Sequence, residues 1–225
     1  MAAPTNKSTI NSSSSASTYT TSATFTPTVG ELLIAVISVS RSTLAAPTFS
    51  LSDGSTFTLV GTGARSTRRC YVFVADALSV SASAVTGTFN CTGDAATGCI
   101  GWIGSQAGIT RAGASAVRQF AHNDNVTYGT PSVTFGSSVI TSNPTVVGFS
   151  SDDSSGTSTP PTGWTEMQDL NTAGLQVQQE IAVRASGFTG TTVTWGSSEL
   201  DFCTVGIELD LSAAASARSW GCVIG

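Results

Sequence analysis

Leu32-Leu-Ile-Ala-Val-Ile-Ser-Val39 is an almost unbroken apolar run of strand length, and no polar face interrupts it. A run like this reads as a central strand covered on both sides. It falls well short of the ~20 residues needed to cross a bilayer. Similar runs follow, separated by turn-forming clusters. Phe57-Thr-Leu-Val60 comes after Ser52-Asp-Gly-Ser55, then Cys70-Tyr-Val-Phe-Val-Ala75, Val85-Thr-Gly-Thr-Phe89 and Ile100-Gly-Trp-Ile103. Short strands punctuated this way point to an all-β antiparallel β-sandwich, jelly-roll-like in layout.

Composition supports that class. Charged residues make up only 10% of the 225 residues, and the chain holds one Lys, Lys7. Ser, Thr and Gly supply the polarity, and no long stretch repeats apolar residues at helical spacing. The chain is long enough to bury a substantial core.

Later strands alternate. In Leu175–Arg184, Leu175, Val177, Ile181 and Val183 share one face, and Gln176, Gln178, Glu180 and Arg184 the other. In Phe202–Leu211, Cys203, Val205, Ile207, Leu209 and Leu211 alternate with Thr204, Glu208 and Asp210. One buried and one wet face is the expectation for each.

The two halves resemble each other. Thr86-Gly-Thr88 recurs as Thr189-Gly-Thr191, Cys99 as Cys203, Ile103 as Ile207, and Leu32–Val39 has a weaker partner in Thr145–Phe149. The expected organisation is a flexible or extended N-terminal arm (1–24) and one sandwich domain (25–211), followed by a C-terminal tail (212–225). The sandwich would be built from similar halves, roughly 25–110 and 131–211, with residues 112–130 as a crossing loop. The polar arm has too few apolar groups to pack alone.

Net charge is -5, and the only close cationic group is Arg65, Arg68 and Arg69. This argues against a nucleic-acid partner; the arginines read as a solvated loop, or as a pair for an acidic partner. No secretory or membrane-spanning segment is apparent, so assembly in a cytosol is expected. The five cysteines are Cys70, Cys91, Cys99, Cys203 and Cys222. They form no metal or disulfide pattern and read as free thiols.

Candidates for chemistry are sparse. His122 is the only histidine and reads as a loop residue. Asp152-Asp153 and Glu199-Leu-Asp201 are the carboxylate pairs a glycosidase would use, or oxygens for calcium, but both read as solvated. Trp102 and Trp195 read as core, whereas Trp164, after a Pro-rich turn, is a candidate sugar platform beside Asp152 and Asp153. No catalytic residue, cofactor or metal is expected. Trp220, Val223 and Ile224 make the tail apolar, which marks a contact surface. With Ser12, Tyr19 and Phe25 of the N-terminal segment, they are the expected partner contacts.

Phe25-Thr-Pro-Thr-Val-Gly-Glu-Leu-Leu-Ile-Ala-Val-Ile resembles a pattern of tailed-bacteriophage virion structural proteins. There, a polar N-terminal strand leads to Pro-x-x-Gly-[Asp/Glu]-Leu-Leu. Pro160-Pro-Thr-Gly-Trp-Thr-Glu, Glu180-Ile-Ala-Val-Arg and Val205-Gly-Ile-Glu-Leu match the same layout, over roughly residues 20–211. The resemblance implies a homo-oligomeric (dimeric or trimeric) decoration or cement protein. It would bind the major capsid protein on the capsid surface of a virion assembled in the host cytoplasm, with no membrane partner. A tail or fibre module that binds host glycans or a receptor is the alternative. The tail beyond Leu211 lies outside the resemblance.

Overall fold

A computed structural model describes residues 2–40, 46–92, 95–152, 157–172 and 177–211, the side chains of residues 125 and 126 excepted. The first half contributes β1 (Thr5–Ser12), β2 (Thr18–Thr20), β3 (Leu32–Ser40), β4 (Thr48–Leu51), β5 (Phe57–Arg65), β6 (Arg68–Ala75), β7 (Gly87–Asn90) and β8 (Cys99–Gln106). A short 3-10 turn, Gly113–Ala116, leads into the second half. There follow β9 (Val117–Gly129), β10 (Ser132–Thr134), β11 (Thr145–Ser151), β12 (Thr165–Thr172), β13 (Val177–Arg184), β14 (Thr192–Thr194) and β15 (Glu199–Leu209). The expected all-β antiparallel sandwich is present: every pairing of these strands is antiparallel.

The sandwich has four layers. One five-stranded sheet runs β1-β8-β3-β6-β5, and a second runs β12-β13-β11-β15-β9. These two stack face to face, β5 against β9, β6 against β15, β3 against β11 and β1 against β12. A small sheet, β2-β7-β4, covers the outer face of the first, and the pair β10-β14 covers the outer face of the second.

The strand orders carry a repeat. Read from β9, the second large sheet runs β9-β15-β11-β13-β12, which is the first sheet's order with β1, β8, β3, β6 and β5 replaced in turn. β10 and β14 stand for β2 and β7. The backbone of Thr159, bonded by the Gly196 amide at 2.9 Å, continues the small sheet where β4 does in the first half. Each unit therefore begins earlier than the expected 25 and 131. It includes β1 in one case and β9 in the other.

Stacking in opposite order is what an approximate two-fold axis between the halves produces. That axis runs along the strands. The Arg65–Asp201 pair joins the two sheets at one end, and Arg111–Asp210 joins them near the other.

Sequence matching slipped by an odd number of residues. Cys99 pairs with Val39 and faces the small-sheet side near Tyr19, whereas Cys203 faces the inter-sheet core near Cys70. An odd slip flips every side chain to the other face. The supposed crossing loop 112–130 is instead mostly β9. It is an edge strand with one side unpaired, and the register irregularities in its pairing with β15 leave its polar residues in runs rather than in alternation.

β3 is buried along its full length, as its unbroken apolar run predicts. Close approach between the large sheets depends on small residues. A Cβ at Gly63 would lie 2.8 Å from the Thr204 carbonyl oxygen, and one at Gly61 would clash with the Phe120 ring.

Candidate functional site

The outer core of the first half is aromatic. Tyr71 and Phe73 of β6 meet Phe49 and Phe89 of the small sheet, with ring centroids 5.7–6.1 Å apart. Such rings fill the layer by apolar burial with no charge to accommodate. The second half has a smaller apolar outer cluster, in which Phe149 meets Trp195 edge-on at 5.4 Å.

Beside that cluster lie the faces expected to be wet. Gln178, Glu180, Thr204 and Glu208 are fully buried, because the β10-β14 layer and the 157–164 segment cover them. Alternation located the two faces of each strand correctly, but a second layer changed which face meets water.

The two buried glutamates differ in their surroundings. Glu208 accepts from Arg118 (2.6 Å), Gln119 (2.5 Å), the Ile140 amide (2.9 Å) and Asn143 (2.7 Å). Four donors suffice for an ionised carboxylate away from water. Neither Glu180 oxygen has a well-formed hydrogen bond, and the one donor beside the carboxyl is the Trp195 indole N–H. Burial pushes the Glu180 carboxyl up to about 8, with further upward pressure from Asp169, Glu166 and Glu199 and opposition from Trp195. Glu166 is also raised, by burial and then by Asp169.

Around Glu180 runs a polar network. Asp169 on β12 sits directly across from it and accepts from the Ser158 amide at 2.8 Å. Ser158 donates to Glu199 at 2.7 Å and accepts from Gln178 at 3.0 Å. Ser197 also donates to Glu199, at 3.0 Å. This network fastens the 157–164 segment onto the sheet. Chemically it can hold or release a proton. The two described cavities are lined by other residues.

The expected partner contacts divide. Ser12 ends β1, which pairs with β8 of the same chain. Tyr19 and Phe25 are buried in the chain's own core, so their side chains are not offered to a partner. Tyr19 Oη lies 3.1 Å from the Ala16 amide and 2.7 Å from the Ala96 carbonyl, and burial pushes it up to about 12. The N-terminal segment is thus an edge strand and part of the small sheet. Ile10 and Tyr19 supply the apolar anchors that the count of polar residues obscured. Trp220, Val223, Ile224 and Cys222 lie outside the described residues, as does Asp153.

The arginine group is not a solvated loop. Arg68 and Arg69 are buried; Arg68 pairs with Asp152, and Arg65 with Asp201 at 2.7 Å, so these cations tie the first half to the second. His122 lies on β9, paired with Asp124 at 3.0 Å and stacked on Phe120. Trp164 is half-buried against Phe188 at the start of β12, the opposite end of the sheet from Asp152, so these two do not form a platform. Trp102 and Trp195 are core residues, as read from sequence.

Among the described residues no group of three His, Cys, Asp or Glu is arranged to hold a metal ion. Cys70, Cys91, Cys99 and Cys203 are buried and in no disulfide; burial pushes the Cys70 thiol up to about 12 and holds Cys99 and Cys203 well above the usual thiol range.

No protein-family model, no curated protein and no solved structure matches this chain.

Proposed function

We propose that this chain is a non-enzymatic structural protein of a virus particle, a decoration or cement protein on the outer surface of a major capsid protein lattice. The sequence resemblance over residues 20–211 supports this reading. The observation that carries it is the distribution of exposed apolar side chains. Val29 (59% exposed), Val80 (87%) and Ile140 (45%) stand at one end of the stack, where β3 and β11 begin, and Tyr128 (69%) and Leu200 (49%) form a smaller pair at the other end. Leu211 reaches the surface at the Ile140 end, and residues 212–225 continue from it. An apolar end of a β-stack, contributed by both halves, suits a contact that buries area across subunit joints.

The edges favour end-on contact over strand addition. β1, β5, β9 and β12 all carry a register irregularity, and Lys7 sits at the one in β1. Bulges and edge lysines are devices that discourage strand pairing with another chain.

The test is co-sedimentation of the purified chain with capsids built from major capsid protein alone, followed by imaging of decorated shells. Binding in a regular array that is lost on Val80→Asp with Ile140→Asp supports the reading. Failure to bind, or binding that survives both substitutions, overturns it.

A further inference from the structure

We propose that Glu180, with the acids around it, is a proton-operated latch: protonated, it lets the outer layer of the second half stay closed, and ionised, it opens the segment 157–164 and the turn after β14. The inference stands independently of the capsid reading.

The geometry is specific to one end of the second large sheet. Glu180 is fully buried with no well-formed hydrogen bond to either oxygen, and its one neighbouring donor is the buried Trp195 indole N–H. The titratable groups around it are all acids: Glu166 and Asp169 from β12 and Glu199 from β15. Among the described residues, no ion pair supplies a cation to any of them, and Arg184, further along β13, is turned to the Ser186 and Gly187 carbonyls. A charge created on Glu180 would therefore lie unsolvated among other negative groups.

The covering layer is the part that can yield. β10 and β14 are three residues each, and Trp195 and Gly196 are held by single backbone bonds to Pro131 (3.0 Å) and Thr159 (2.9 Å). Two of the Ser158 bonds that fasten 157–164 end on the acids Asp169 and Glu199. At the other end of the sheet Glu208 is pinned by four donors, so opening stops there.

The test is a nuclear magnetic resonance titration of the full chain from about pH 6 to about pH 10, following the Trp195 indole, the Gly196 amide and the Glu180 side-chain carboxyl carbon. With one proton linked to opening, protection of the Gly196 amide, corrected for intrinsic exchange, falls about tenfold per pH unit up to the Glu180 midpoint and levels off above it. The Glu180 carbon and the Trp195 indole shift with that midpoint, and the Ile140 amide beside Glu208 does not change. Glu180→Gln keeps Gly196 protected throughout. Flat protection in the unaltered chain, or a fall that persists in Glu180→Gln, overturns the latch. Should the variant not fold, the carboxyl carbon decides alone: a Glu180 already ionised at the acid limit overturns the latch, and one that titrates with the loss of protection supports it.

Discussion

The two halves share a strand order but fill their outer layers differently. On the outer face of β6, Tyr71 and Phe73 lie under Phe49 and Phe89; on the outer face of β13, Gln178 and Glu180 lie under a thinner layer. One topology thus tolerates both an aromatic core and a buried acid network. The fold depends on the shared inner contact between large sheets, where β3 is apolar throughout and Gly63 permits close approach. The outer layers were free to diverge. The first half spends its outer layer on stability, and the second keeps ionisable groups away from water.

The sharpest way to break this contrast is to remove an aromatic from the first half. Phe73→Ala should cost about 3–5 kcal/mol in denaturant unfolding, since it removes a fully buried ring. A cost below about 1 kcal/mol would mean that the first outer layer is no core.

The next test lies in the second half. Glu208→Gln replaces the acceptor of four donors with a group that cannot satisfy all of them, at a cost of about 2–3 kcal/mol. The same exchange at Glu180, whose one neighbouring donor is the poorly aligned Trp195 indole, should stabilise the chain by about 1–3 kcal/mol above pH 8. Opposite signs for one substitution at two buried glutamates would sharpen the comparison. Equal signs would remove it.

The Glu180 effect depends on pH with a definite direction. The folded carboxyl holds its proton up to about 8, against 4.5 for the free side chain. Between those values the native state binds more protons than the unfolded state, so this contribution to stability falls as pH rises. It is fully present below 4.5 and lost as pH passes about 8. Melting temperature against pH, in the unaltered chain and in Glu180→Gln, should show a decline in the first and its absence in the second. The smallest effect is expected at the half-to-half ion pair. Arg65→Ala should cost no more than about 1 kcal/mol because that pair is partly solvated.

Much of the architecture was legible. Leu32–Val39 announced a doubly covered strand because nothing polar breaks it, and Val193 and Trp195 announced a shared core face. The repeat was visible at the level of strands but not of residues, because Cys99 and Cys203 match as letters and face opposite ways. β9 was hidden because an edge strand rich in Asn, Asp and Gln has the composition of a loop. The acid network was hidden for a different reason. Alternation separates two faces but cannot tell water from a thin second layer, so Glu180 looked solvated. Asp169 and Glu199 join it only through the pairing of β12 with β13 and the covering 157–164 segment. A buried glutamate beside Gln-Gln leaves no mark in sequence that an exposed one would not.

The most direct test of the central claim is amide hydrogen exchange of the unaltered chain at neutral pH, comparing the two outer layers. Amides of β2, β4 and β7 should exchange only through global unfolding. Those of β10, β14 and Gly196 should exchange faster, through local opening. Equal protection in the two layers, or faster exchange in the aromatic one, would contradict the account.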